Sequence, residues 1–135
     1  MASTIRLDVI TPSRSAFSGD VNMVIARALD GDVGILPGHV PLVAALDIWS
    51  LRILTSEGEH KMAISGGIMN VSDGKIVIMT ATAELAENVD VGRSKRALAK
   101  AEAELEKTTD EREIEIWRHA RKRAQVRLSI VTAKH

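Results

Sequence analysis

In the segment TIRLDVI, Ile5, Leu7 and Val9 fall on one face, and in VNMVIAR so do Val21, Met23 and Ile25. A period of two marks a strand with one face in a core. IWSLRIL, HKMAIS, GIMNV and KIVIMTA continue the series in short runs rich in β-branched residues. TPS, SGD, DGD, LPGH, SEGE, SGG and SDGK separate them as turns. Short strands at this spacing predict an antiparallel sandwich or barrel. After Glu84 the period changes. From Val89 to Glu106 there is no proline, Ala, Lys and Glu dominate, and Val91, Ser94, Leu98, Ala101 and Leu105 share one helical stripe. KTTDER ends that helix, and Asp110 with Glu113 three residues on predicts a capping box opening a second. Its stripe is Ile114, Trp117, Ala124, Leu128 and Val131. Two amphipathic helices joined by a few residues make an antiparallel hairpin. Helices of this size are marginal without packing. The hairpin must lie on the sandwich or on a partner, and it could exchange one for the other. Two units follow: a β domain over residues 1–86 and a helical hairpin over residues 87–135.

Composition narrows the classes. Of 135 residues, 45% are hydrophobic and 27% charged, which is globular. Aromatics are Phe17, Trp49 and Trp117 alone, so the core is aliphatic and base-stacking modes of nucleic-acid binding lack their platforms. The absence of cysteine excludes disulfides and thiol chemistry. No apolar run reaches the roughly 20 residues of a membrane span. MASTIRLDVI enters a strand pattern at once, so no signal peptide is expected, and a cytoplasmic chain is the simplest inference. The zero net charge conceals a split, −4 over residues 1–89 and +4 over residues 90–135. Opposite charges suggest units attracted to each other or to different partners.

The segment DGDVGILPGHVPL, residues 30–42, admits several chemistries. A phosphate loop would run from glycines into a helix with a lysine, but here Pro37 and Pro41 follow and no lysine precedes Lys61. A metal site would need Asp30, Asp32 and His39 to converge, and no metal site is expected. A strand from Asp32 to Leu36 closed by a Pro-Gly turn accounts for the glycines but leaves the polar side chains without a use.

In the helical half, Asp90 and Arg93 lie one turn apart, with Lys100 close to the face of Arg93 two turns on. Arg123 and Arg127 are i, i+4 neighbours. Folded together, these cations could surround a polyphosphate, and arginine suits bidentate phosphate contact. The same residues also read as an N-cap at Asp90 or Asn88 and a solvated basic face. Arg93 in a first turn is opposed by the helix dipole, which weighs against that plainer reading. The second helix is basic through Arg118, Arg121, Lys122, Arg123 and Arg127. No nucleic-acid partner is expected for this face, because aromatics and a known binding motif are absent, and a membrane surface is the alternative. His60 and His119 lack partners in sequence, and no nucleophile–base set stands out. The chain reads as non-catalytic.

LDVITP, FSGDV, GDVGILPGHVPLV, LRI, SGGIMNV, AELAENVDVGRSKRALAKAEAEL and RKRAQVRLSIV, in this order, resemble the epsilon subunit of the bacterial rotary ATP synthase over nearly the whole chain. The resemblance implies a ten-stranded β-sandwich with a C-terminal helical hairpin. It implies a rotor subunit on the cytoplasmic face of the membrane, bound to the gamma subunit and the ring of c subunits. It couples proton flow to ATP synthesis and inhibits ATP hydrolysis through the hairpin. It places the loop around Asp32 and His39 against the c ring. It directs the basic helix (Arg118, Arg121, Lys122, Arg123) at an acidic segment of the catalytic head, built of alpha and beta subunits, when the hairpin extends. It implies no required cofactor but ATP as a regulatory ligand, with the need for Mg²⁺ open. Val89-Asp90-Val91-Gly92-Arg93-Ser94 resembles the family's Ile/Leu-Asp-x-x-Arg-Ala signature and departs from it at both ends. The family's nucleotide contacts then fall on Glu84, Asp90, Arg93, Lys100, Arg123 and Arg127. The rival class is a free-standing nucleotide-binding β-sandwich module, which would not co-purify with gamma.

Overall fold

The structure, a computed structural model, describes residues 3–132. Eight strands lead into two helices: β1 (Ile5–Ile10), β2 (Ser15–Val21), β3 (Met23–Ala28), β4 (Gly31–Ile35), β5 (Leu42–Thr55), β6 (Gly58–Ser72), β7 (Lys75–Met79), β8 (Ala83–Leu85), α1 (Val91–Lys107) and α2 (Glu111–Thr132). A single 3-10 turn, Ala86–Asn88, joins the two parts. The sheet runs β2-β1-β7-β6-β5-β3-β4, with β8 added on β6. In a flat sheet β1 and β3 would lie four strand spacings, or about 19 Å, apart. Yet Leu7 and Val9 of β1 share one core with Val24 of β3 and Ile35 of β4. The sheet is therefore folded over on itself, and the aliphatic core fills the space between its halves.

Three features of the β part differ from the sequence reading. VNMVIAR is not one strand: Val21 ends β2, and the buried face of β3 is Val24, Ala26 and Ala28 rather than Met23 and Ile25. Among the described residues there are eight strands rather than ten. HKMAIS and GIMNV are one strand, β6, and the SGG segment between them is a bend within it, not a turn. Gly66 and Gly67 take φ of +84° and +129° there, while the pairing with β5 keeps one register from Leu42↔Val71 to Thr55↔Gly58. Only glycine adopts such angles cheaply, so a strand can bend sharply without losing its ladder. β5 is nearly as long, and these two strands carry the chain from one layer to the other. The sheet also holds one parallel pair, β1 with β7, so it is not antiparallel throughout. β7 enters beside β1 after the β5–β6 hairpin has crossed between the layers, and its direction is set by that crossing.

The hairpin follows the predicted stripes and adds a second one. The Asp90 carboxylate accepts the Arg93 N–H at 3.0 Å, which caps α1. The Asp110 carboxylate likewise accepts the Arg112 N–H at 2.9 Å. Glu113 does not reach back to Asp110; its Oε2 accepts from the Thr108 hydroxyl at 3.0 Å, so the capping box is only half formed. Small buried residues, Ser94 and Ala101 on α1 and Ala124 on α2, let the helices approach closely. Val126 and Ile130, about 200° and 240° round the helix from Ala124, face the other way. They are buried against Ala63 of β6 and Ala86, with Ile48 and Val89 at the margin. α2 thus lies between α1 and the sheet. No described helix is long and apolar enough to cross a membrane.

Candidate functional site

Three chain segments meet where the sheet gives way to the hairpin. β8 supplies Glu84, the start of α1 supplies Asp90 and Arg93, and the last turns of α2 supply Arg127. They line a cavity of about 560 Å³ together with Arg14 from the β1–β2 turn and Asn88. Arg127 Nε lies 3.0 Å from Glu84 Oε1, an ion pair between sheet and hairpin. Arg14 is anchored by donating from Nη2 to the Ala83 carbonyl at 2.6 Å. The lining thus carries three guanidinium groups against two carboxylates. An anionic guest here would compete with Glu84 for Arg127 and meet Arg93 and Arg14 besides.

Of the six residues assigned to nucleotide, the fold brings together Glu84, Asp90, Arg93 and Arg127. Lys100 and Arg123 are not on this cavity; the Lys100 ammonium lies 5.8 Å from the centre of the Trp117 ring. Arg14 and Asn88 were missed by sequence reasoning. Asn88 was read only as a possible cap, although it lies in the family motif and the 3-10 turn carries it to the cavity. Arg14 has no such signal and reaches the cavity only through the folding of the β1–β2 turn towards β8.

The loop residues sit elsewhere. Asp32 on β4 pairs directly across from Arg27 on β3 and accepts from its Nε at 2.9 Å. That hydrogen bond holds the Asp32 carboxyl below its usual range, although the side chain is 57% exposed. Asp32 borders a shallow cleft of about 650 Å³ together with Leu29 and Val43. Both are strongly exposed, as are Leu36 and Val40 in the loop that follows. The His39 Nδ1 lies 2.7 Å from the Val40 carbonyl, which can only accept, so this nitrogen carries the proton. Among the described residues no group of three metal-ligating side chains converges, and Asp30, Asp32 and His39 do not form one.

The basic face of α2 is divided. Lys122 Nζ lies 2.9 Å from both carboxylate oxygens of Asp47 on β5. Burial raises the Asp47 carboxyl, but hydrogen bonds from Lys122 and the Ile48 N–H outweigh it and leave the carboxyl below its usual range. Arg118 and Arg121 border a groove of about 440 Å³ floored by Trp49. Arg123 is half-buried. His119, unpartnered in the sequence reading, lies 3.6 Å from Glu115 one turn back.

Comparison with known proteins places these features in a family. Residues 4–86 match the family model described as the ATP synthase, Delta/Epsilon chain, beta-sandwich domain. The ATP synthase epsilon chain of Desulforamulus reducens is 45% identical over 105 residues, covering 78% of this chain and 80% of the relative. That of Streptomyces avermitilis is 35% identical over 135 residues, covering 99% and 100%. Among solved structures, a chain of the Euglena gracilis mitochondrial ATP synthase (OSCP/F1/c-ring in rotational state 1) superposes with a TM-score of 0.71 at 25% identity, covering 100% of this chain and 84% of the other.

Proposed function

The chain belongs to the epsilon-chain family of the ATP synthases, a non-catalytic subunit of the central stalk, and on that premise we propose that its hairpin is a nucleotide-held regulator of ATP hydrolysis. The β part serves as the rotor piece that joins gamma to the c ring at the cytoplasmic face of the membrane. The foot of the sandwich suits the ring contact. Asp32 and His39 there accompany Leu29, Leu36, Val40 and Val43, and an exposed apolar surface rimmed by polar groups is the common form of a docking site. In the extended state α2 presents Arg118, Arg121, Lys122 and Arg123 to an acidic surface of the catalytic alpha and beta subunits.

The observation that carries the regulatory reading is the cavity shared by Glu84, Asp90, Arg93 and Arg127. Its walls come from sheet, α1 and α2 together, so a polyphosphate seated there exists as a ligand only of the compact form. By linkage, ATP then favours that form by RT ln(1 + [L]/Kd), on the order of 1.4 kcal/mol at tenfold excess over Kd. Falling ATP releases the basic helix to inhibit. Calorimetry of ATP on the isolated subunit tests this. Binding should weaken sharply in Arg93→Ala and again in Arg127→Ala. In the assembled complex, deletion of residues 88–135 should raise hydrolysis. Absence of heat at millimolar ATP would remove the sensor, and unchanged hydrolysis would remove the inhibitor.

A further inference from the structure

Four charges and one ring form a continuous chain from the foot of the sandwich to the hairpin. Arg27 Nε is 2.9 Å from Asp32. The Arg27 guanidinium carbon lies 3.8 Å from the centre of the Trp49 ring, in stacking contact. Lys122 Nζ of α2 approaches the same ring to 5.9 Å and is held by Asp47 at 2.9 Å. Arg27 also feels the Asp47 charge. Two cations, one from the sheet and one from the hairpin, thus share one aromatic plate, and Asp47 is in contact with the second of them only. Asp32 is the counter-charge that keeps Arg27 occupied and leaves Asp47 to Lys122.

We propose that Arg27 and Trp49 are positioning residues coupling occupancy of Asp32 at the foot to release of α2 at the hairpin. When a cationic group of a docking partner takes the Asp32 carboxylate, Arg27 loses its direct counter-ion. Trp49 keeps it within reach of Asp47, where it competes with Lys122. The grip of Asp47 on α2 weakens, and the open form gains population. The coupling is reciprocal. When α2 leaves, Asp47 becomes available to Arg27, and Asp32 is freed for the partner. The network is half-exposed, so the effect is modest and screened by salt. This rests on the readings above that Asp32 contacts a partner and that the hairpin opens.

The chain has no cysteine, so Ser72→Cys and Gln125→Cys place two spectroscopic labels on the full-length subunit, one on β6 and one on α2. Their separation reports the open fraction. Asp32→Asn, which mimics a carboxylate already taken, should raise the open-to-closed ratio about fivefold at low salt and hardly at all at about 0.5 M salt. Arg27→Gln should not open the hairpin, since it removes the competitor, and the Arg27→Gln/Asp32→Asn double variant should stay closed as well. A merely structural role for the Arg27–Asp32 pair would make both single variants behave alike. Lys122→Ala/Ile130→Ala serves as the opened reference, with strand circular dichroism confirming that every variant keeps its sheet. If the reference opens and Asp32→Asn does not, the coupling is overturned and the hairpin reading stands. If the reference stays closed, the hairpin does not move, and both fall.

Discussion

Replacing Ile130 by alanine should detach the hairpin while leaving the sandwich intact. Ile130 is 1% exposed, and its buried neighbours are Ala63, Ala86 and Val126. This cluster is separate from the main aliphatic core, and with the Lys122–Asp47 and Arg127–Glu84 pairs it forms the observed hold of α2 on the sheet. Truncating a buried isoleucine to alanine costs about 2–5 kcal/mol. The lower figure applies here, because the cluster is small and lies at the margin of the sheet. A loss of about 2 kcal/mol changes the docking equilibrium about thirtyfold. Hydrogen exchange read by mass spectrometry resolves where the loss falls. Amides of α1 and α2 should lose about thirtyfold in protection, and those of β1 and β7, whose buried side chains lie in the main core, should keep theirs. Equal loss in the sheet would show that Ile130 belongs to the global core. No loss anywhere would show that the ion pairs alone hold the helix.

Acid should loosen the same contact through Asp47. Its carboxyl is lowered from 3.8 in the folded chain, so its contribution is complete above pH 3.8 and fades as pH falls through the lowered value. Exchange protection of α2 should drop on acidification below that point, and Asp47→Asn should remove this step while leaving acid effects within the sheet. Gly67→Ala should cost at least about 3 kcal/mol, since φ is +129° and a Cβ would overlap the Met79 carbonyl oxygen; an unchanged thermal midpoint would refute the bend as glycine-dependent. A fragment of residues 1–86 should fold with an all-β circular dichroism spectrum, because its core is formed within the strands; a disordered or helical spectrum would show that the sheet needs α2.

The sequence by itself settled the class of each half and the family. A period of two up to Glu84 and a helical stripe from Val91 are local properties, and local spacing decides whether one face of an element can be buried. The ordered motifs from LDVITP to RKRAQVRLSIV carried the family for a similar reason: each is a contiguous run whose residues can be read together. What only the tertiary structure decided lies between runs. Part of the difference in strand count turned on Gly66 and Gly67 bending one strand rather than ending it. A turn and a bend have the same glycines in sequence and differ only in what pairs on either side. The docking face of α2, Lys122 with Val126 and Ile130, carries two apolar residues and a cation, too few to show as a stripe beside the predicted one. Arg14 reaches Ala83 across 69 positions and Lys122 reaches Asp47 across 75. Such contacts follow from which face of a folded sheet meets the hairpin, and no period along the chain encodes that meeting. The cavity of Glu84, Asp90, Arg93 and Arg127 belongs to both kinds: its residues were legible through the family motif, but their convergence depended on α2 lying against the sheet.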